Sequence, residues 1–412
     1  MTVRWITERI GTSPWQEQLA SGSIGIVDVR LLRDGVGNSP NLIREKIAEA
    51  LNYMKRGDRV VICCDHGISR SNAIAAAALA EDADMTLSEA LRRVIHSTGE
   101  AGIKIDFVDD MRKALGVSRS PVSSPRAFVM GLDDFIGSRI NSIINPSWTS
   151  VKKSQSRDQV LIDNPVLLDA AIDEATADRV LFCWHPPALD TNRSAGQLIG
   201  SLRNVLEVCR VRRIGLIFLS GYQVFAGHDG RGPVSFSEAD ATQPAGAAGD
   251  GLFLCESLIK QYETRHGLST LVVRSSHVYG PGDERPGILN TLVRKALTQQ
   301  DIVTHHYQNG APFIDLIHVT DLAQALRLAI EKNLTGVLHV ASGNPIATDE
   351  LARLITRKAS SSGKVTSIEM PGNYCMVRLE STIARTFLKW QPVIDLETGL
   401  SEIIDHTRTS CH

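Results

Sequence analysis

Cysteine, arginine and serine stand at fixed intervals in the segment Arg59-Val-Val-Ile-Cys-Cys-Asp-His-Gly-Ile-Ser-Arg-Ser71. Five residues separate Cys64 from Arg70, and Ser71 follows at once. An apolar run leads into Cys64, and an alanine-rich run of helical character leaves Ser71. A strand, loop and helix in that order wrap backbone N–H groups around a dianionic phosphate and point a helix dipole at it. The same field favours a thiolate at Cys64, because thiols at helix N-termini have pKa values of about 3.5–7.5. Arg70 offers a bidentate guanidinium to two phosphate oxygens. Gly67 lets the loop adopt the positive φ of a tight cradle. The loop Asp65, His66, Gly67, Ile68 and Ser69 is thus expected to hold a phosphate against a nucleophilic sulfur.

This segment resembles the H-C-x-x-G-x-x-R-[ST] signature of the protein tyrosine phosphatase superfamily, dual-specificity branch, and the resemblance extends over about residues 4–116. It implies that Cys64 forms a phosphocysteine, that Arg70 binds the phosphoryl group, and that Ser71 hydrogen-bonds the sulfur as leaving group. It also implies a general acid some 30 residues upstream. Asp34, in Leu31-Leu-Arg-Asp-Gly-Val-Gly37, is preferred for that role over Asp28, which lies inside an apolar run. The family's histidine before the nucleophile is Cys63 here. The vicinal pair Cys63 and Cys64 admits a redox role, in which oxidation of Cys64 is captured by its neighbour, or a plain buried thiol at Cys63.

The elements that position this loop alternate between strand and helix. Apolar strands are expected at 24–29 and 59–64, with helices at 41–54, 71–80, 87–94 and 105–115. The Ser/Pro-rich stretch 118–125 interrupts the pattern and is read as a linker. It divides a catalytic domain, residues 1–117, from a second domain, residues 126–412. The strand–helix alternation restarts at Ala127 and implies a doubly wound parallel α/β sheet.

In the second domain, Phe128-Val-Met-Gly-Leu-Asp-Asp-Phe-Ile-Gly-Ser138, Val273-Arg-Ser-Ser-His-Val-Tyr-Gly-Pro-Gly282 and Ile317-His-Val-Thr-Asp-Leu-Ala323 follow one another in order. They resemble segments of the NAD-dependent epimerase/dehydratase family of extended short-chain dehydrogenases. The resemblance covers about residues 126–405 and implies a Rossmann-like fold, with a homodimer formed through a long helix around Glu256–His266. The family's glycine loop becomes Gly131, Asp134 and Gly137, with a carboxylate at the middle position where the cofactor pyrophosphate approaches. Alignment on Glu256 places the family's catalytic tyrosine and lysine on Ala248 and Leu252. Its catalytic serine or threonine falls on Gly221, and its diphosphate-binding arginine on Ile314. The sequence alone therefore reads as a pseudo-epimerase scaffold without a cofactor. His185 reads as a plug in the old cofactor cleft, and His305-His306 as no metal site. Tyr279 and Arg274 read as structural.

Composition bounds the partners. The 412 residues carry 44 basic against 46 acidic side chains, which disfavours a nucleic-acid or polyanion binder. No apolar stretch approaches the roughly 20 residues of a membrane span, and the N-terminus lacks a secretory apolar region. Seven cysteines without framework spacing suit a reducing cytoplasm. The expectation is a metal-independent cytoplasmic phosphatase, acting on a phosphoprotein or a phosphorylated sugar or metabolite. Two alternatives stay open: an NAD(P)-dependent nucleotide-sugar epimerase or dehydratase with non-standard residues, and a non-catalytic phosphate-binding scaffold.

Overall fold

The structure is a computed structural model that describes residues 3–17, 24–117, 126–131, 135–144, 162–183, 189, 191–228 and 234–410. The 118–125 linker, Asp133, Asp134 and His185 lie outside the described residues. The chain divides into two compact units. The first comprises Met1–Phe128 with Gln159–Asp178 and Asn204–Ile214, and the second comprises the remainder. The division runs through the strand Ala127–Met130 and the helix Asn192–Arg212.

The first unit is built on a four-stranded sheet ordered Arg4–Trp5, Ile10–Pro14, Val60–Cys64, Gly25–Asp28. The expected parallel sheet carries one antiparallel edge, where Arg4 pairs with Thr12. The central strand Val60–Cys64 is buried along its whole length, as a continuous apolar run between two parallel neighbours must be. The helix Arg70–Asp82 is buried from Ser71 to Ala80. Its alanines allow the sheet on one side and the helices Pro40–Lys55, Leu87–Thr98 and Ile105–Leu115 on the others to approach closely.

A charged cluster also organises this unit. Asp169, on the helix Pro165–Glu174, has no exposed surface. Both its oxygens accept from Arg112, and Arg212 donates to it as well. Arg212 also donates to Asp173 at 2.8 Å. Burial makes this carboxylate important to both arginines, since removing it leaves Arg212 with Asp173 alone of its two carboxylates and takes from Arg112 the carboxylate it binds through both oxygens.

The second unit holds a parallel sheet ordered Gly336–Val340, Thr270–Ser275, Gly215–Gly221, Arg179–Phe182, Ala127–Met130. Phe218 registers with Val272, and Val273 with Leu338. The helix Val319–Glu331 packs on Phe135–Ile144. A smaller lobe pairs Ile302–His306 with Val365–Glu369 in parallel, over a core that includes Leu292, Leu351, Ile355 and Leu400. Among the described residues no helix is long and apolar enough to cross a membrane.

Replacing Asp169 by alanine leaves Arg112 and Arg212 without their shared carboxylate. The expected cost is about 3–5 kcal/mol, read as a lower denaturation midpoint in urea, whereas the same change at exposed Asp405 leaves the midpoint in place.

Candidate functional sites

Cys64 ends its strand beside Pro14, and Trp15 donates its N–H to the Cys64 carbonyl at 2.8 Å. Gly67 has φ +67°, and a Cβ there would lie 2.4 Å from the Pro14 nitrogen, so the loop closes only with glycine. The Gly67 N–H donates to the Cys64 sulfur at 3.2 Å, and Cys64 and Ser71 are bonded at 3.3 Å. Burial pushes the Cys64 thiol up, but hydrogen bonds from the Ser71 side chain foremost, and from the backbone of Ser71, His66 and Ile68, outweigh it and hold the thiol below its ordinary value. Cys63 has no such support, and burial pushes it up to about 11. Successive strand side chains point to opposite faces, which separates the two sulfurs.

The other predicted members are placed differently. The Arg70 guanidinium is engaged: it donates to Asp65 and to the carbonyls of Arg30, at 3.1 Å, and Leu32, at 2.9 Å. Ser69 accepts the Lys104 N–H at 3.1 Å, Ile68 is half-buried, and His66 is exposed. Asp34 is exposed on the loop whose carbonyls hold Arg70. Asp28 is paired with Arg30 at 2.8 Å, as suits a structural residue. The structure thus brings Cys64, Gly67 and Ser71 together, while a carboxylate and two carbonyls satisfy the arginine.

In the second unit, Gly131 has φ +100°, and a Cβ on Gly137 would lie 2.1 Å from the Gly131 oxygen. The first and third glycines of the loop therefore seat the Phe135–Ile144 helix directly on the end of the Ala127–Met130 strand. The described flanks of the loop thus fit a dinucleotide, whose pyrophosphate needs that helix N-terminus close to the strand end. On the Gly246–His266 helix, Ala248 is half-buried and Leu252 is buried, and Ile314 is also buried. Arg274 is buried and donates to both oxygens of Glu256, which also accepts from Ser220 at 2.6 Å. That network is structural, as the sequence suggested for Arg274.

Sequence reasoning missed a second pair of polar side chains. Tyr222 follows the strand Gly215–Gly221 directly, and its Oη lies 2.6 Å from His277 Nε2. The rings are 4.2 Å apart between centroids. The signal available was positional: each residue lies just beyond the carboxyl end of an apolar strand, where ligands of parallel sheets bind.

Known proteins resemble the chain from residue 126 onward. Residues 126–373 match the family described as RmlD substrate binding domain. GDP-L-fucose synthase 1 of Arabidopsis thaliana is 26% identical over 38% of this chain and 49% of its own length. The dTDP-4-dehydrorhamnose reductase of Escherichia coli is 26% identical over 32% of this chain and 43% of its own. The crystal structure of UDP-glucose 4-epimerase with UDP-glucose from Thermotoga maritima superimposes with a TM-score of 0.60, at 20% identity, over 69% of this chain and 99% of that one. The chain spans less than two thirds of the length of these curated relatives.

These likenesses overturn the phosphatase reading, with its hydrolase class and dual-specificity assignment. The two curated relatives are a GDP-L-fucose synthase and a dTDP-4-dehydrorhamnose reductase, and the residues matched to the family begin beyond the Cys64 loop. The engagement of Arg70 by Asp65 is the physical counterpart of that correction. They agree with the other half of the sequence reading, a second domain like those of the epimerase/dehydratase family.

The Cys64 environment still has a measurable consequence. Ser71→Ala removes the largest contribution that favours the thiolate, so the Cys64 pKa rises. The ultraviolet thiolate absorbance, taken as the difference from Cys64→Ser, then has its midpoint at higher pH than in the unaltered chain.

Proposed function

We propose that the chain, which belongs through residues 126–373 to the RmlD substrate binding domain family, acts on nucleotide-linked sugars as an NAD(P)-dependent epimerase, dehydratase or reductase. The observation that carries this reading is the close approach of Gly137 to Gly131, which brings the N-terminus of the Phe135–Ile144 helix to the end of the Ala127–Met130 strand, where the pyrophosphate of a dinucleotide would be held. Gly131, Gly137 and the N-terminus of the Phe135–Ile144 helix would hold the dinucleotide. When bound, its nicotinamide supplies or accepts hydride.

The chain's own residues do the remainder. The carboxyl ends of the Gly215–Gly221 and Thr270–Ser275 strands form the floor on which a sugar would lie. Glu256 and Arg274 fix the distance between that floor and the Gly246–His266 helix. The exposed Phe253 and Leu254 on this helix support pairing with a second copy of the chain. Among the described residues six cysteines are free thiols, five of them buried, which supports a cytoplasmic setting.

Calorimetric titration with NADH, NADPH, UDP-glucose and dTDP-glucose tests the reading. Binding of a dinucleotide and of a nucleotide sugar is expected, and binding of neither would overturn it. Gly137→Ala is expected to abolish dinucleotide binding, because its methyl group would collide with the Gly131 carbonyl. Asp134→Gly removes a carboxylate from the middle of the glycine pattern and is expected to tighten dinucleotide binding by about tenfold or more.

A further inference from the structure

With Ala248 and Leu252 in place of tyrosine and lysine, the proton of the sugar chemistry needs another carrier. We infer that Tyr222, backed by His277, delivers that proton to the carbonyl oxygen of a nucleotide-linked keto sugar at the carboxyl end of the Gly215–Gly221 strand. The inference rests on the nucleotide-sugar reading and narrows it to reduction.

Geometry carries the assignment. Gly221 and Ser275 are register partners on adjacent strands, so Tyr222 and His277 emerge side by side above the middle of the sheet. Oη and Nε2 are 2.6 Å apart, and both residues are half-buried, with part of each surface open. The backbone N–H of His277 donates to the Asp315 carbonyl at 3.0 Å, which holds the strand segment that carries the ring. The Tyr374 ring lies 5.2 Å from the Tyr307 ring, and Tyr374 is near enough to Tyr222 to affect its ionisation. Aromatic faces of this kind suit the C–H face of a sugar ring.

The charge state fits the role. Burial holds the Tyr222 phenol above its ordinary range, so it keeps its proton at neutral pH. Burial, with the Arg285 charge adding to it, lowers His277 to about 4, so its ring is neutral. A phenol whose proton affinity is raised towards that of an alkoxide is a matched donor to one. With hydride supplied to the carbonyl carbon by a bound reduced nicotinamide, the C=O π pair would move onto oxygen, and that oxygen would take the Tyr222 proton. The phenolate then recovers a proton from water by way of His277. Tyr222 is the catalytic residue and His277 a positioning residue.

The full chain, Tyr222→Phe and His277→Gln are compared in two measurements. The first is calorimetric binding of NADPH and of dTDP, UDP and GDP. The second is NADPH oxidation with 4-keto-6-deoxy sugars linked to the same three nucleotides, in water and in deuterium oxide. Unchanged nucleotide binding is expected, with turnover about 100-fold lower in Tyr222→Phe and about tenfold lower in His277→Gln. The solvent isotope effect of the unaltered chain is expected to change in His277→Gln, which a purely structural role would not produce. Tyr222→Phe turning over at more than a third of the unaltered rate would overturn the inference. Nucleotide binding without reduction of any sugar would overturn it alone. Absence of nucleotide and NADPH binding would overturn the underlying reading, and the inference with it.

Discussion

The backbone of Gly131 and that of Gly137 approach until no side chain fits between them. That contact fixes the Phe135–Ile144 helix on the strand end, and much of the second unit is arranged around the result. Phe135 lies against Gly280, where an added Cβ would come within 3.2 Å of its ring and 2.9 Å of Val319. Three segments distant in sequence thus meet at one place: the glycine loop, the Tyr-Gly-Pro-Gly turn and the start of the Val319–Glu331 helix. A larger residue at any of the three glycines would separate elements whose positions depend on each other.

The first unit is held by a different means. Its sheet and alanine-rich helix form an apolar centre, but the helix Pro165–Glu174 is tied in by Asp169 and two arginines. A buried ion cluster confers little net stability compared with apolar packing of the same volume. It does discriminate strongly among arrangements, since any other leaves charges unpaired. The cluster gives the unit a specified geometry at residues drawn from three separate parts of the chain.

The strand–helix alternation was legible in the sequence because buried parallel strands and amphipathic helices leave distinct periods, and the expected elements stand within a few residues of their predicted bounds. The Cys64 loop was legible as local geometry: strand, positive-φ glycine and Ser71 are neighbours along the chain. Its function was not, because the partners of Arg70 decide whether the guanidinium is available. Asp65 is five residues away, and two carbonyls lie about 40 residues back, with no trace in residue type. Tyr222 and His277 were equally hidden, since 55 residues separate them and only the register of two strands joins them. Matching a motif position by position found Ala248 and Leu252 and stopped there.

The helix Arg70–Asp82 buries eight consecutive residues from Ala73 to Ala80, six of them alanine. Alanine has no side-chain rotamers to freeze, so packing this helix sacrifices backbone freedom and almost none from side chains. Within that stretch only Ile74 and Leu79 have side-chain rotamers to order. The Cys64 loop is therefore anchored to the part of the unit whose side chains lose least entropy on being ordered.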